Sequence, residues 1–228
     1  MKITQAHVDK IHTLLDAGLV IGVGNPKPGE ACVEAVICMA LGLPHGDNPK
    51  CVLPCLRTLK ISLNDTNWSS NKARAEGLRR LAIAQLGSDS LDAMDFVTRL
   101  ARMTIQTVVP AALRSAAKML TGEHPTKLLV LTSKCEAHPT EANAKNAADA
   151  AANAANATTY AEAAAYAATN ATTYAAYADG AAANAAANAA DAAAYAAKDE
   201  VLATFAENVV QILIEMKAPG CRWLGAAA

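Results

Sequence analysis

The sequence predicts an all-α protein: a compact multi-helix domain that carries a long alanine-rich helical hairpin, an arm like a coiled coil. The chain of 228 residues is 53% hydrophobic but only 4% aromatic, because much of its apolar content is alanine, the best helix former. Residues 141–200 contain 33 alanines. Elsewhere, apolar residues recur every three or four positions, which is typical of amphipathic helices. Only residues 128–131 are ambiguous, and no second convincing strand exists to pair with them.

Seven short helices are predicted before the alanine tract. The first ends at Gly18, a helix-stopping residue. The second is apolar nearly all round and is expected at the centre of the domain. Pro54 is tolerated in the third only near its first turn, and Ser90 is expected to cap the fifth. The predicted ranges are 4–17, 30–41, 50–63, 71–86, 91–107, 110–120 and 127–135.

The alanine tract has a regular period. Its polar residues recur at intervals of three and four, and the segment ATTYA occurs at 157–161 and again at 171–175, two heptads later. Asn and Tyr would make a poor coiled-coil seam. We therefore expect the alanine faces to pack and the polar residues to face water or a partner. We call these polar residues the interaction stripe: Asn153, Asn156, Tyr160, Asn170, Tyr174, Tyr177, Asn184, Asn188 and Tyr195.

The tract is expected to fold back at Asp179 and Gly180, because Gly destabilises a helix interior and Asp-Gly is a common turn pair. A hairpin returns the apolar residues 201–216 to the first domain, whereas one long rod would need a second subunit to cover them. The predicted organisation is a compact domain at 1–138, an alanine-rich arm at 139–200, and an apolar helix and tail at 201–224 that pack on the first domain. Residues 225–228 are interpreted as a cloning remnant.

Composition excludes several classes of protein. The net charge of -1 gives no reason to expect a nucleic-acid binder. No apolar run reaches the ~18 residues that a membrane span requires. Polar residues interrupt the first 24 positions where a signal peptide needs an apolar stretch, so we expect a cytoplasmic protein. The six cysteines then indicate reduced thiols rather than a disulfide framework, and no cofactor is predicted.

Two loops that flank the second helix form a first candidate site. Gly24 and Gly29 precede the helix, whose N-terminal N–H groups could bind an anion. Cys32 is placed in its first turn, where the helix dipole lowers a thiol pKa. His45 and Asp47 follow the helix and complete the residue types of a thiol hydrolase. The helix, however, separates Cys32 from His45 by about 15 Å, so the alternative is an ordinary loop beside a buried cysteine.

A second candidate is a metal site. Cys51 and Cys55, spaced i,i+4, could combine with Cys135 and His138 as the four ligands of a tetrahedral zinc ion. The alternative is that the cysteines are small core residues. No metal is therefore assigned, and these four residues are only candidates.

The polar loop at residues 64–70 forms a third candidate. Asn64, Asp65 and Trp68 precede a basic helix that contains Arg74, and such a set could bind a phosphate or an acidic surface. The alternative is a capped helix start, with Trp68 packed as a lid and the arginines solvated.

Three stretches carry a resemblance to known sequences. GEACVEAVICMALGLPHGDNP, LNDTNWSSNKARAEGLRRLAIAQLG and VVQILIEMKAPGC resemble a family of uncharacterised bacterial and phage proteins with alanine-rich repeats. The resemblance covers most of the chain but brings no activity with it.

Three functional hypotheses follow. The first is a non-enzymatic interaction or scaffold protein that binds a partner, or itself, through the interaction stripe. The second is a protein that binds a small anion or nucleotide, or a cysteine-dependent enzyme, with its site at the Gly24, His45 and Trp68 loops. The third is ice binding, since alanine-rich helices with spaced Thr and Asn resemble type I antifreeze proteins. The heptad spacing and irregular Thr positions count against this third hypothesis.

Overall fold

The computed structural model describes residues 2–118, 120, 122–155 and 198–225, and it confirms the all-α prediction, since this part of the chain contains helices and no strand. None of the helices in these ranges is both long and apolar enough to cross a membrane. Most of the predicted arm, including its turn at Asp179 and Gly180, lies outside the described residues. The α-helices are α1 (Gln5–Asp16), α2 (Val33–Ala40), α3 (Pro54–Asp65), α4 (Asn71–Ala84), α5 (Ala93–Met103), α6 (Val109–Ala117), α7 (His124–Ala137), α8 (Glu141–Ala155) and α9 (Lys198–Glu215).

The chain divides into two compact units. The first comprises Met1–Phe96 and Leu202–Ala228, and the second comprises Val97–Val201. In the first unit α2 packs against α1, α3 and α4. All residues of α2 except Met39 are buried, which confirms the central position predicted from its apolar sequence.

Two helices of the first unit begin three or four residues later than predicted. Cys32 has an extended backbone (φ -74°, ψ 169°) and is the N-cap of α2, so the helix starts at Val33. Pro54 is the first residue of α3, because proline disfavours a helical conformation of the residue before it. Leu53 is accordingly non-helical, with ψ 126°. Both changes follow from local chemistry at the helix N-termini.

Helix α4 connects the other elements of the first unit. Ser70 caps it as predicted, since its hydroxyl accepts a hydrogen bond from the Ala73 N–H. Arg79 contacts Asp16 of α1 at 2.6 Å, and Arg80 contacts Glu207 of α9 at 2.9 Å. These acids, from α1 and α9, are therefore the partners of the basic helix in this unit.

The start of α5 differs from the prediction that Ser90 caps it. The Ser90 hydroxyl donates to the Gly87 carbonyl within a 3-10 turn at Ser88–Ser90. Asp92 instead accepts hydrogen bonds from the N–H groups of Met94 and Asp95, at 2.8 and 3.0 Å. A carboxylate at this place also interacts favourably with the helix dipole.

The second unit begins with an irregular helix. A π-helical turn, Thr104–Val108, connects α5 to α6, where the sequence predicts two helices with a break before Pro110. Proline removes an i→i−4 hydrogen bond from an α-helix, and Pro110 is at the first turn of α6. A π-turn, with its wider hydrogen-bond spacing, lets the helical path continue towards a residue that lacks an N–H.

Helices α6, α7 and α8 pack against one another in the second unit. Residues 127–135 belong to α7, which confirms the choice of helix over strand. Asn143 of α8 donates to the carbonyls of His138 and Lys134, at 2.7 and 3.3 Å. Both carbonyls also accept a backbone N–H, from His138 and Thr140, so the Asn143 amide adds a second hydrogen bond to each and joins the start of α8 to the end of α7.

Candidate functional site

The structure brings together the loops that the sequence nominates for a ligand, but their polar groups bond to one another. Asn64 is fully buried. Its amide accepts from the Val33 N–H at 3.2 Å and donates to the Val20 carbonyl at 2.9 Å. Asp65 accepts from the Gly22 N–H at 2.9 Å. These two side chains therefore join the end of α3 to the loop before α2, and Asn64 is not exposed to a ligand.

Arg74 has the same structural role. Only 3% of the residue is exposed. Its Nε donates to the Asn64 carbonyl at 2.7 Å, and one terminal nitrogen donates both to the Leu19 carbonyl at 2.9 Å and to Asn71 Oδ1 at 2.8 Å. Arg74 is thus a buried cross-link between loops rather than the solvated arginine of the alternative interpretation, and burial leaves it poorly placed to hold a phosphate.

Trp68 is packed as a lid on α4 and is only 5% exposed. Its indole N–H donates to the Leu63 carbonyl at 3.0 Å. The ring lies so close to Gly77 that a Cβ there would be 2.4 Å from two ring carbons. This arrangement corresponds to the packing alternative rather than to a ligand contact.

The residue types of a thiol hydrolase do not form a dyad. His45 Nε2 lies 2.9 Å from the Gly24 carbonyl, which can only accept, so Nε2 carries the proton. Cys32 Sγ accepts from the Ala35 N–H at 3.4 Å. Each group has a different partner, and within the described residues Asp47 makes no hydrogen bond to either one. Gly24 has φ +67°, and a Cβ there would meet the Glu30 carbonyl at 2.0 Å, so close backbone approach requires this glycine.

Cys32 is the N-cap residue of α2 and not a residue of its first turn. Burial raises the pKa of its thiol, and the N–H groups of Ala35 and Glu34 offset this only in part. The expected lowering by the helix N-terminus is therefore outweighed. Burial also raises the pKa of Cys38, to about 11, and that of Cys135, to about 11.

The buried thiols should be unreactive in the folded protein. We expect a thiol reagent at pH 7 to modify Cys55 and Cys221, which are partly exposed, before any other cysteine, because only an accessible thiolate reacts. Mass spectrometry of the native and urea-unfolded protein measures this order. Rapid selective modification of Cys32 in the native state would contradict the assignment and favour the enzyme hypothesis.

The zinc candidates are divided between the two units, with Cys51 and Cys55 in the first and Cys135 and His138 in the second. In the ranges that the structure describes, no group of three or more His, Cys, Asp or Glu side chains could hold a metal ion. Cys51 and Cys135 are buried, as expected of small core residues.

The structure reveals one polar cluster that the sequence analysis missed. Glu34 of α2 and Lys60 of α3 are both 0% exposed, with Nζ 3.2 Å from Oε1. Gln85 Nε2 is 3.4 Å from the other Glu34 oxygen. Among the described residues, Glu34 Oε1, Lys60 Nζ and Gln85 Oε1 make no well-directed hydrogen bond. A lone Glu inside the apolar segment VEAVICMA is the signal that could have revealed it.

Burial opposes charge on each member of this pair, and the opposite charge of the partner offsets part of that effect. Burial raises the pKa of Glu34, and the attraction of Lys60 offsets this only in part. Burial likewise lowers the pKa of Lys60, with Glu34 acting in the opposite direction. Because both groups lie in the interior with no exposed surface, the cluster contributes to the core of the first unit and offers no open binding site.

The described part of the alanine tract has the predicted orientation. Six alanines of α8 are buried, whereas Ala142 and Ala152 are exposed together with Asn146, Asp149 and Asn153. Of the interaction stripe, Asn153 is described, and the other members lie outside the described residues. The buried alanines are Ala144, Ala147, Ala148, Ala150, Ala151 and Ala154.

No family model, curated protein or solved structure matches the chain. The resemblance to bacterial and phage proteins therefore stays a prediction.

Proposed function

We propose that the protein is a non-enzymatic helical interaction protein that binds a second copy of itself, or another protein, through the polar side of its alanine-rich segment. The carrying observation is the orientation of α8, which buries most of its alanines while Asn146, Asp149 and Asn153 are exposed. Asn side chains suit such a contact, because their amides both donate and accept hydrogen bonds. The sequence repeats this pattern through the rest of the interaction stripe.

The loops of the alternative site favour this proposal indirectly. Asn64, Trp68 and Arg74 are buried and bonded to the backbone, so their residue types are explained by folding alone. A ligand-binding or catalytic role for these loops would require groups directed towards solvent. The polar side of α8, by contrast, is exposed, so its side chains are accessible to a partner.

The double variant Asn146→Arg with Asn153→Arg tests the proposal. Bulky cations on the exposed side should leave helix content unchanged, since Arg is at least as good a helix former as Asn, but they should weaken association at least tenfold. Sedimentation velocity over a concentration series measures self-association, and circular dichroism on the same samples measures helix content. Pull-down from a lysate against the same variants covers a different protein partner.

Asn67→Arg makes the same chemical change at an exposed position of the loop in the first unit and serves as the matched control. It should associate like the wild type. Unchanged association of the double variant, or a loss in Asn67→Arg alone, would contradict the proposal.

A further inference from the structure

The first unit contains a cleft of about 220 Å³ at the meeting point of residues 2–3, the end of α4 and the C-terminal 3-10 turn. One part of its wall is apolar and the other is polar or cationic. None of the residues that line it is acidic. The apolar wall includes Ile3, Leu86 and Pro219, and the polar wall includes Lys2, Arg222 and Trp223.

The guanidinium of Arg222 is held in place at this cleft. It lies over the Trp223 ring, 4.6 Å from the ring centroid, where a cation is attracted by the π-electrons. One of its terminal nitrogens donates to the Ile3 carbonyl at 3.3 Å. A guanidinium has five N–H donors, so others are left over. Within the described residues neither Arg222 nor Lys2 forms an ion pair.

The indole N–H of Trp223 also lacks an acceptor in the part of the chain that the structure describes. Its Nε1 is buried and has no acceptor among the described residues. A buried donor without an acceptor is unfavourable, and it often marks a place where water or a ligand supplies one. The cleft thus combines an aliphatic wall with two cations that form no ion pair within the described residues and one N–H that has no acceptor there.

We propose that this cleft binds a small organic carboxylate. The carboxylate oxygens would accept hydrogen bonds from Arg222 and Lys2, and they are acceptors of the kind that the Trp223 N–H lacks. A short aliphatic chain would contact Ile3, Leu86 and Pro219. The volume is below the ~300–1,000 Å³ of pockets for drug-sized ligands, so the ligand is small. The apolar wall favours an organic acid over inorganic phosphate, because phosphate has no apolar part to bury.

Butyrate is a suitable probe, and butyramide is its neutral control of nearly the same shape. The chain has two tryptophans, so a ¹⁵N-labelled sample gives two indole N–H resonances. The Trp68 N–H is bonded to the Leu63 carbonyl and acts as an internal reference. We expect butyrate to shift the Trp223 resonance saturably while the Trp68 resonance stays in place. Butyramide at the same concentrations should shift neither.

Two variants separate binding from general charge effects. Arg222→Gln should weaken butyrate binding at least tenfold, because it removes the charged donors at the cleft. Lys72→Gln removes an exposed cation that does not line the cleft and should bind butyrate like the wild type. Inorganic phosphate should bind more weakly than butyrate. Equal shifts with butyramide, no saturable shift with butyrate, tighter binding of phosphate, or undiminished binding in Arg222→Gln would overturn the proposal.

Discussion

Replacing Lys60 by Met should reduce the free energy of unfolding by about 3–5 kcal/mol at pH 7, because it leaves Glu34 as an uncompensated group in the core. Glu34→Gln should have a similar cost, since it leaves the Lys60 ammonium without its counter-ion. Urea unfolding followed by circular dichroism measures both variants against the wild type. A cost below 1 kcal/mol for either one would contradict the fully buried pair seen between α2 and α3.

The two single variants should respond to pH in opposite directions. Burial raises the pKa of Glu34, so its contribution to stability is fully present below the pKa of an unfolded glutamate and is lost as pH rises through the folded value. The cost of Lys60→Met should therefore shrink in acid. Burial lowers the pKa of Lys60, so its contribution is present in alkali and is lost as pH falls. The cost of Glu34→Gln should shrink at high pH.

The double variant Glu34→Leu with Lys60→Met provides the control. It removes both charges together, and apolar replacement of a buried ion pair is often close to neutral. The Gln85 amide is then left without its Glu34 partner, which costs about 1–3 kcal/mol. This cost is smaller than the roughly 3–5 kcal/mol expected for each single variant, so we expect the double variant to be more stable than either single one. A simple addition of the two single costs would show that the residues do not act as a pair.

Arg74→Met should destabilise the first unit by about 3–5 kcal/mol. Hydrogen bonds from a charged donor contribute roughly 1.5–3 kcal/mol each, and the substitution removes those to the Asn64 and Leu19 carbonyls. Lys72→Met, at an 80% exposed side chain of the same helix, should change stability by no more than about 0.5 kcal/mol. Thermal and urea unfolding measure both.

This pair of variants also discriminates between the two roles considered for Arg74. If Arg74 only binds a ligand, folding does not depend on it, and its replacement would leave the free energy of unfolding unchanged. An arginine that joins loops is required for the transition itself. If Arg74→Met unfolds at the same temperature and urea concentration as the wild type, the loop at residues 64–70 and Arg74 would again be a candidate binding site.

The sequence predicts the helices well and their termini less well. Apolar spacing identifies α1 to α7, and the composition of α8 correctly predicts which side is buried. The start of α2 depends on whether Cys32 adopts an extended backbone, which periodicity does not report. The ion pair of Glu34 and Lys60 depends on how the consecutive helices α2 and α3 pack against each other, which periodicity within each helix does not report. Trp68 and Arg74 show a further limit, because tryptophan and arginine can either bind a ligand or pack inside the protein, and the sequence does not distinguish the two roles.

Helix α8 packs against α6 and α7 of the second unit, and the apolar side chains that it buries there are all alanines. A buried methyl group contributes about 0.8 kcal/mol, whereas ordering the backbone of a residue costs roughly 1–2 kcal/mol. Detachment of α8 thus requires less free energy than separating α6 from α7, where larger apolar side chains such as Leu113, Leu128 and Leu131 are buried. Its amide hydrogens should exchange with solvent through local opening, with little sensitivity to denaturant. A partner that binds the exposed side of α8 would stabilise the docked helix, and the exchange of its amide hydrogens would then become slower.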